Sequence, residues 1–127
     1  MEINDLTYRI IGCAYAVHSA LGPGMLESTY RKCLVHELEQ YGLGVQAELA
    51  LPVNYKGVAL DAGYRLDILV EDLVILELKA VDALHPVHFA QLLTYLRLSG
   101  KTHGLLFNFK EKNLKNGFKR VINSQRR

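Results

Sequence analysis

The chain has 127 residues, enough for one domain and too few for two ordinary ones. Half are hydrophobic and 22% charged, a balance that excludes a disordered chain, and no apolar run reaches the roughly 18–20 residues that cross a bilayer. The net charge of +2 is unevenly spread: residues 109–127 carry Lys110, Lys112, Lys115, Lys119, Arg120, Arg126 and Arg127 against Glu111 alone, so +6, which leaves −4 for the rest.

A cationic end on an acidic body suits a phosphate backbone, which rewards Lys and Arg through counterion release. The plain alternative is a solvated tail kept for solubility. The start of the chain, Met1 to Asp5, has neither the basic residues nor the apolar stretch of a secretion signal, so a cytoplasmic location is expected. Cys13 and Cys33 fall inside helical patterns with no zinc spacing, and both read as small core residues rather than a disulfide.

In chain order, the first element is a helix over residues 3–21, with Ile3, Leu6, Ile10, Cys13 or Ala14, Val17 and Leu21 at helical spacing. Gly22-Pro23-Gly24 punctuates it. A second helix is expected over residues 25–41, carrying Leu26, Tyr30, Cys33 or Leu34, Leu38 and Tyr41, and Gly42 and Gly44 stop it. The period then changes to two. Val45, Ala47, Leu49, Leu51, Val53 and Tyr55 alternate with polar or small residues, predicting one long strand with Pro52 at a sheet edge. Lys56-Gly57 reads as a hairpin turn into a strand over residues 58–70. Glu71 and Asp72 end that strand, and residues 73–81 form the next. Pro86 opens a helix that Gly100 closes, residues 103–109 read as a short buried strand, and a last strand is expected at 118–122. The order implies an α/β domain with a central mixed β-sheet flanked by helices.

Charged residues interrupt the two most apolar strands. In Ile75-Leu76-Glu77-Leu78-Lys79 the alternation sends Glu77 and Lys79 to one face, where an ammonium and a carboxylate are costly unless satisfied. Asp67 interrupts the preceding strand. A two-residue turn at Glu71-Asp72 puts Asp67 opposite Leu76, with the two carboxylates on opposite faces. A three-residue loop, residues 71–73, pairs Val70 with Val74 and sets Asp67 across from Glu77. A metal site therefore requires an odd loop or a bulge. If the carboxylates meet, they repel unless a cation lies between them, and hard oxygen ligands suit Mg²⁺ or Mn²⁺. Such an ion lowers the pKa of a bound water, while Lys79 orients that water or stabilises developing charge. The competing reading is a buried ion pair of Lys79 with Asp67 or Glu77 that serves structure only.

Asp67, nine intervening residues and Glu77-Leu78-Lys79 resemble the D…(D/E)xK signature of the PD-(D/E)XK nuclease superfamily, with Leu66 where a proline often precedes the Asp. Gly24-Met25-Leu26-Glu27-Ser28-Thr29-Tyr30 resembles the motif that names the GxxExxY protein family. Tyr64-Arg65-Leu66-Asp67, Pro86-Val87-His88 and Gln91 through Leu96 are also similar to that family, over about residues 10–122. The resemblance implies a restriction-endonuclease-like core in which Asp67 and Glu77 bind the metal, helped by the main chain next to Glu77, and Lys79 is the catalytic lysine. Gln91 and Tyr95 resemble the QxxxY motif of RecB-like nucleases. The implied function is a Mg²⁺- or Mn²⁺-dependent nuclease acting on DNA, with RNA as a further substrate class. The alternative is a catalytically silent nuclease-fold module that binds nucleic acid or a partner protein.

The remaining candidates each have two readings. Glu27 either supplies a third carboxylate, with Tyr30 steadying it, or simply favours the first turn of a helix while Tyr30 packs in the core. Gln91 and Tyr95, one helical turn apart, either contact a nucleotide or a metal-bound water, or pack at the helix–sheet boundary. Arg65 shares the face of Asp67 by parity and either binds phosphate or neutralises a carboxylate. Lys110, Lys112, Lys115, Lys119 and Arg120 are the expected backbone-binding residues. His85 and His88, at i and i+3 around a proline, read as a helix start rather than as metal ligands. A homodimer through the second helix or the edge near Pro52 is a further expectation.

Overall fold

The computed structural model describes residues 1–124; Arg126 and Arg127 of the basic segment lie outside the described residues. Helix α1 (Ile3–Leu21) has the expected bounds, and Leu6, Ile10, Cys13, Ala14 and Val17 form its buried stripe. Helix α2 (Glu27–Gln40) starts two residues later than its pattern suggested, because residues 22–26 are held as a loop. Both cysteines are free, Cys13 buried and Cys33 half-buried.

Five strands form the main sheet: β1 (Val45–Ala50), β4 (Arg65–Val70), β5 (Val74–Lys79), β6 (His103–Asn108) and β7 (Phe118–Ile122), in the spatial order β1-β4-β5-β6-β7. All neighbours are antiparallel except β5 and β6, which run parallel and are joined through helix α3 (Pro86–Ser99). A parallel pair needs such a crossover. Helices α1 and α2 cover one face, packing Leu6, Ile10, Leu34 and Leu38 with Ile68, Val70, Leu76, Leu78 and Phe107. Helix α3 covers the other, where Leu92, Tyr95 and Leu96 meet Leu66, Leu69, Ile75 and Leu106. The central strands are buried on both sides, which explains their near-continuous apolar sequence. This is the mixed sheet flanked by helices that the sequence implied.

Two long strands were expected where four short ones exist. The run over residues 45–55 breaks at Leu51-Pro52 into β1 and β2 (Val53–Tyr55), where Pro52 cannot donate to a ladder. The run over residues 58–70 breaks into β3 (Val58–Leu60) and β4, since Gly63 takes φ 80° and donates to the Asp61 carboxylate at 3.1 Å. Strands β2 and β3 pair with each other as a separate hairpin around Lys56-Gly57, both at positive φ, the turn that its sequence promised. Leu51 N–H bonds to Tyr64 C=O (2.9 Å) and closes the base of this hairpin. Among the described residues no helix is long and apolar enough to cross a membrane.

Candidate active site

The connection from β4 to β5 decides the geometry. Val70 pairs with Val74, so the loop is residues 71–73, with Glu71 and Asp72 both left-handed at φ 53° and 56°. This odd loop is the condition that brings Asp67 across from Glu77. The regular ladder ends one row earlier, at Ile68 and Leu76. In the next row the strands exchange side-chain bonds instead. Asp67 N–H donates to Glu77 Oε2 (3.1 Å), and Leu78 N–H donates to Asp67 Oδ2 (2.9 Å). Each carboxylate satisfies an amide that the other strand leaves unpaired.

Side-chain alternation in β4 also breaks at this row. Leu66 and Leu69 both lie in the α3-facing core, whereas Ile68 and Val70 face α1 and α2. The partner strand shows the same disturbance: Glu48 of β1, between the rows Ala47–Ile68 and Leu49–Leu66, is left-handed at φ 52°. A non-glycine residue held there stores strain of about 1–2 kcal/mol, a cost found most often at functional sites.

Glu77 is only 4% exposed. Burial, then repulsion from Asp67, pushes its carboxyl up to about 8, against the opposing pull of the Asp67 amide and Lys79. Burial raises Asp67 too, opposed by the Leu78 N–H, Lys79 and Arg31, while the Glu48 charge pushes the same way as burial. Glu27, at the first turn of α2, is raised by burial and by Asp67 and pulled back by Lys79 and Arg31. Three carboxylates therefore crowd one lysine and one arginine.

Lys79 does not form the buried ion pair of the structural reading. Its Nζ donates to Gln91 Oε1 (3.1 Å), and Gln91 Nε2 donates to Tyr95 Oη (3.1 Å). Tyr95 is 6% exposed and its hydroxyl accepts from Gln91, so it offers bases almost no surface. The Tyr30 ring is fully buried and stacks on Phe109 at 4.6 Å, so the core reading of that residue holds. Its hydroxyl donates to Gly22 C=O and accepts from Met25 N–H (3.0 Å), which fixes the loop that delivers Glu27.

Arg65 departs from expectation. It is exposed and donates to the main-chain oxygen of Glu48 (3.3 Å), because the alternation that put it beside Asp67 fails between them. The guanidinium whose charge lowers Asp67 is that of Arg31. Sequence reasoning missed Arg31, although it lies one helical turn beyond Glu27. It also missed Asn108, fully buried, whose amide grips Val81 N–H (3.0 Å) and C=O (2.9 Å) and holds the chain just past Lys79. A polar residue closing an apolar run was the available signal.

The basic candidates lie further out. Lys110 pairs with Asp82 (2.7 Å) at an open cleft of about 430 Å³ lined also by Val81, Ala83, His85 and His88. His85 N–H donates to His88 Nδ1 (3.0 Å), a helix-start contact. Burial, then the Lys79 charge, holds His88 below its ordinary range. Lys112, Lys115, Lys119 and Arg120 are exposed. Lys119 stands in the row of Glu77 through Leu106, two strands or roughly 10 Å away.

Among the described residues no group of three or more His, Cys, Asp or Glu side chains is gathered closely enough to hold an ion by itself. A small hard cation needs less, since Mg²⁺ takes one or two carboxylates and keeps its waters. Asp67 Oδ1 and Glu77 Oε1 both stand outside the strand-bridging bonds, on carboxylates that repel each other. The donor set fits a divalent ion.

The sequence profile of the PD-(D/E)XK nuclease superfamily matches residues 4–121. The chain belongs to that superfamily. Comparison with curated proteins and with solved structures found no match. PD-(D/E)XK nucleases generally use divalent metal ions, and membership points to a nuclease fold that binds nucleic acid.

Proposed function

We propose that the protein is a Mg²⁺- or Mn²⁺-dependent phosphodiesterase acting on nucleic acid, DNA first, and that within the superfamily it is a GxxExxY protein. The observation that carries this reading is the crossed pair of bonds between Asp67 and Glu77, which sets two carboxylates side by side and leaves one oxygen of each for an ion. A structural pair has no need of that arrangement, since Lys79 takes a glutamine as its partner.

A divalent ion held by Asp67 and Glu77 supplies Lewis acidity at a phosphoryl oxygen and neutralises charge that builds there. The protein's own part is positional. Gln91, steadied by Tyr95, fixes Lys79 Nζ through one hydrogen bond and leaves its other N–H groups to steer the attacking water or stabilise a phosphoryl oxygen. Glu27 is the accessory acid, at the end of a loop fastened by Tyr30. The exposed cations after β6 hold the flanking backbone, and a cationic patch there serves DNA and RNA alike.

The test is cleavage of labelled single- and double-stranded DNA and RNA with Mg²⁺ or Mn²⁺, wild type against Glu77→Gln. Cutting that the substitution abolishes, with folding unchanged, supports a nuclease and names its substrate class. Folded wild type that cuts nothing would move the assignment to a silent binding module.

A further inference from the structure

Arg31 has no part in the expected signature, yet its charge reaches the acids of the site. It follows Glu27 by one turn on α2, and its charge acts on both Glu27 and Asp67. Its side chain is only 17% exposed, but among the described residues its guanidinium makes no hydrogen bond. Its ion pair is a long one, 3.8 Å from Nη2 to the Glu48 carboxylate, which is itself 60% exposed. A guanidinium carries five N–H donors in a planar fork that suits phosphate. Among the described residues no buried side-chain nitrogen lacks a partner, so the Arg31 donors open to solvent, where a phosphate can reach them.

Charge balance says what the fork awaits. Glu27, Asp67 and Glu77 in ionised form against Lys79 leave the site at −2, which one divalent ion cancels. A phosphodiester brings a further negative charge, and Arg31 is the cation besides Lys79 whose charge acts on Glu27 and Asp67. Glu48 supplies the second half of the device. Its left-handed backbone occurs in the row of Asp67, in the middle of a strand, and its carboxylate is the one that meets Arg31.

We propose that Arg31 grips the phosphodiester at this site, its guanidinium resting on Glu48 in the free protein and moving onto the non-bridging phosphate oxygens when nucleic acid binds. The bidentate geometry of Arg with phosphate favours the exchange over a distant, solvated carboxylate. Glu48 then acts as a placeholder that competes weakly with substrate. This inference rests on the nuclease reading and adds to it the residue that meets the substrate.

The experiment is fluorescence anisotropy of a short fluorescein-labelled DNA, single-stranded and duplex, with Ca²⁺ and across a salt series. Arg31→Gln should bind about tenfold more weakly and lose about one from the slope of log K against log salt. Arg31→Lys should keep the slope while losing affinity, and Glu48→Gln should bind a few-fold more tightly than wild type. Thermal melts of each variant check folding. Folded Arg31→Gln with wild-type affinity and slope overturns the proposal and leaves the nuclease reading standing. Wild type that binds neither DNA, nor the matching RNA run in the same assay, overturns both. Should Arg31→Gln fail to fold, the other two variants decide: unchanged affinity in Arg31→Lys together with no gain in Glu48→Gln overturns the grip.

Discussion

Glu77 sits in one of the two most buried strands of the sheet with its carboxyl pushed up to about 8, and this makes it the residue through which pH acts on the fold. The folded-state value lies above the ordinary 4.5, so the protonated form is the one the fold prefers. Its contribution is complete below pH 4.5 and is lost as pH rises through about 8. Asp67 and Glu27 are raised as well and add to the same trend. In EDTA the melting temperature should therefore fall across that window, by the equivalent of a few kcal/mol. Glu77→Gln should flatten the fall, and Mg²⁺ or Mn²⁺ should raise the midpoint more at pH 8 than at pH 5. A flat profile for wild type in EDTA would contradict the crowding of these acids. The amides Asp67→Asn and Glu77→Gln can still accept the strand-bridging bonds, so both should fold while losing metal-dependent activity. Asp67→Ala leaves the Leu78 N–H without its acceptor and should cost about 1–3 kcal/mol in urea titrations.

At the level of elements, the site is a set of delivered ends: the loop before α2, the divergent row of β4 and β5, and the first turns of α3. Tyr30→Phe keeps the stack on Phe109 but frees Gly22 C=O and Met25 N–H. It should lower stability by about 1–2 kcal/mol in chemical denaturation. Gln91→Leu should leave the melting temperature nearly unchanged while cutting kcat by about tenfold or more, since it releases Lys79 without opening the core. Much at this scale was legible. The periods gave the three α-helices of the described residues, β5 through β7 and the turn at Lys56-Gly57. The odd loop at residues 71–73 was identified as the condition on which a carboxylate site depends, and it is met. Two strands were read too long because alternation continues through Pro52 and Gly63, although the hydrogen-bonded ladder does not. Arg65 was misplaced for a related reason: parity counting assumes a regular strand, and the strained backbone at Glu48 marks where regularity ends. Arg31 went unread because its distance from Asp67 is set by how α2 packs on the sheet, which no local pattern encodes.

Across the whole molecule, charge is segregated along the chain and across the sheet. Four exposed cations, Lys112, Lys115, Lys119 and Arg120, cluster at and before the edge strand β7, while Asp67 and Glu77 lie on the central strands β4 and β5. Replacing Lys115 and Lys119 with Ala should weaken binding of unrelated DNA sequences alike and reduce the salt slope by up to about two. Affinity indifferent to both changes would make this edge a solubility device. The crossed bonds between β4 and β5 have a consequence of another kind. The amide protons of Asp67 and Leu78 are donated to the same two carboxylates that are proposed to hold the ion. Their ¹⁵N–¹H resonances are therefore internal reporters: titrating Mg²⁺ into labelled protein should move these two peaks first, so that occupancy is read by the backbone itself, with no substrate present and no bond cut.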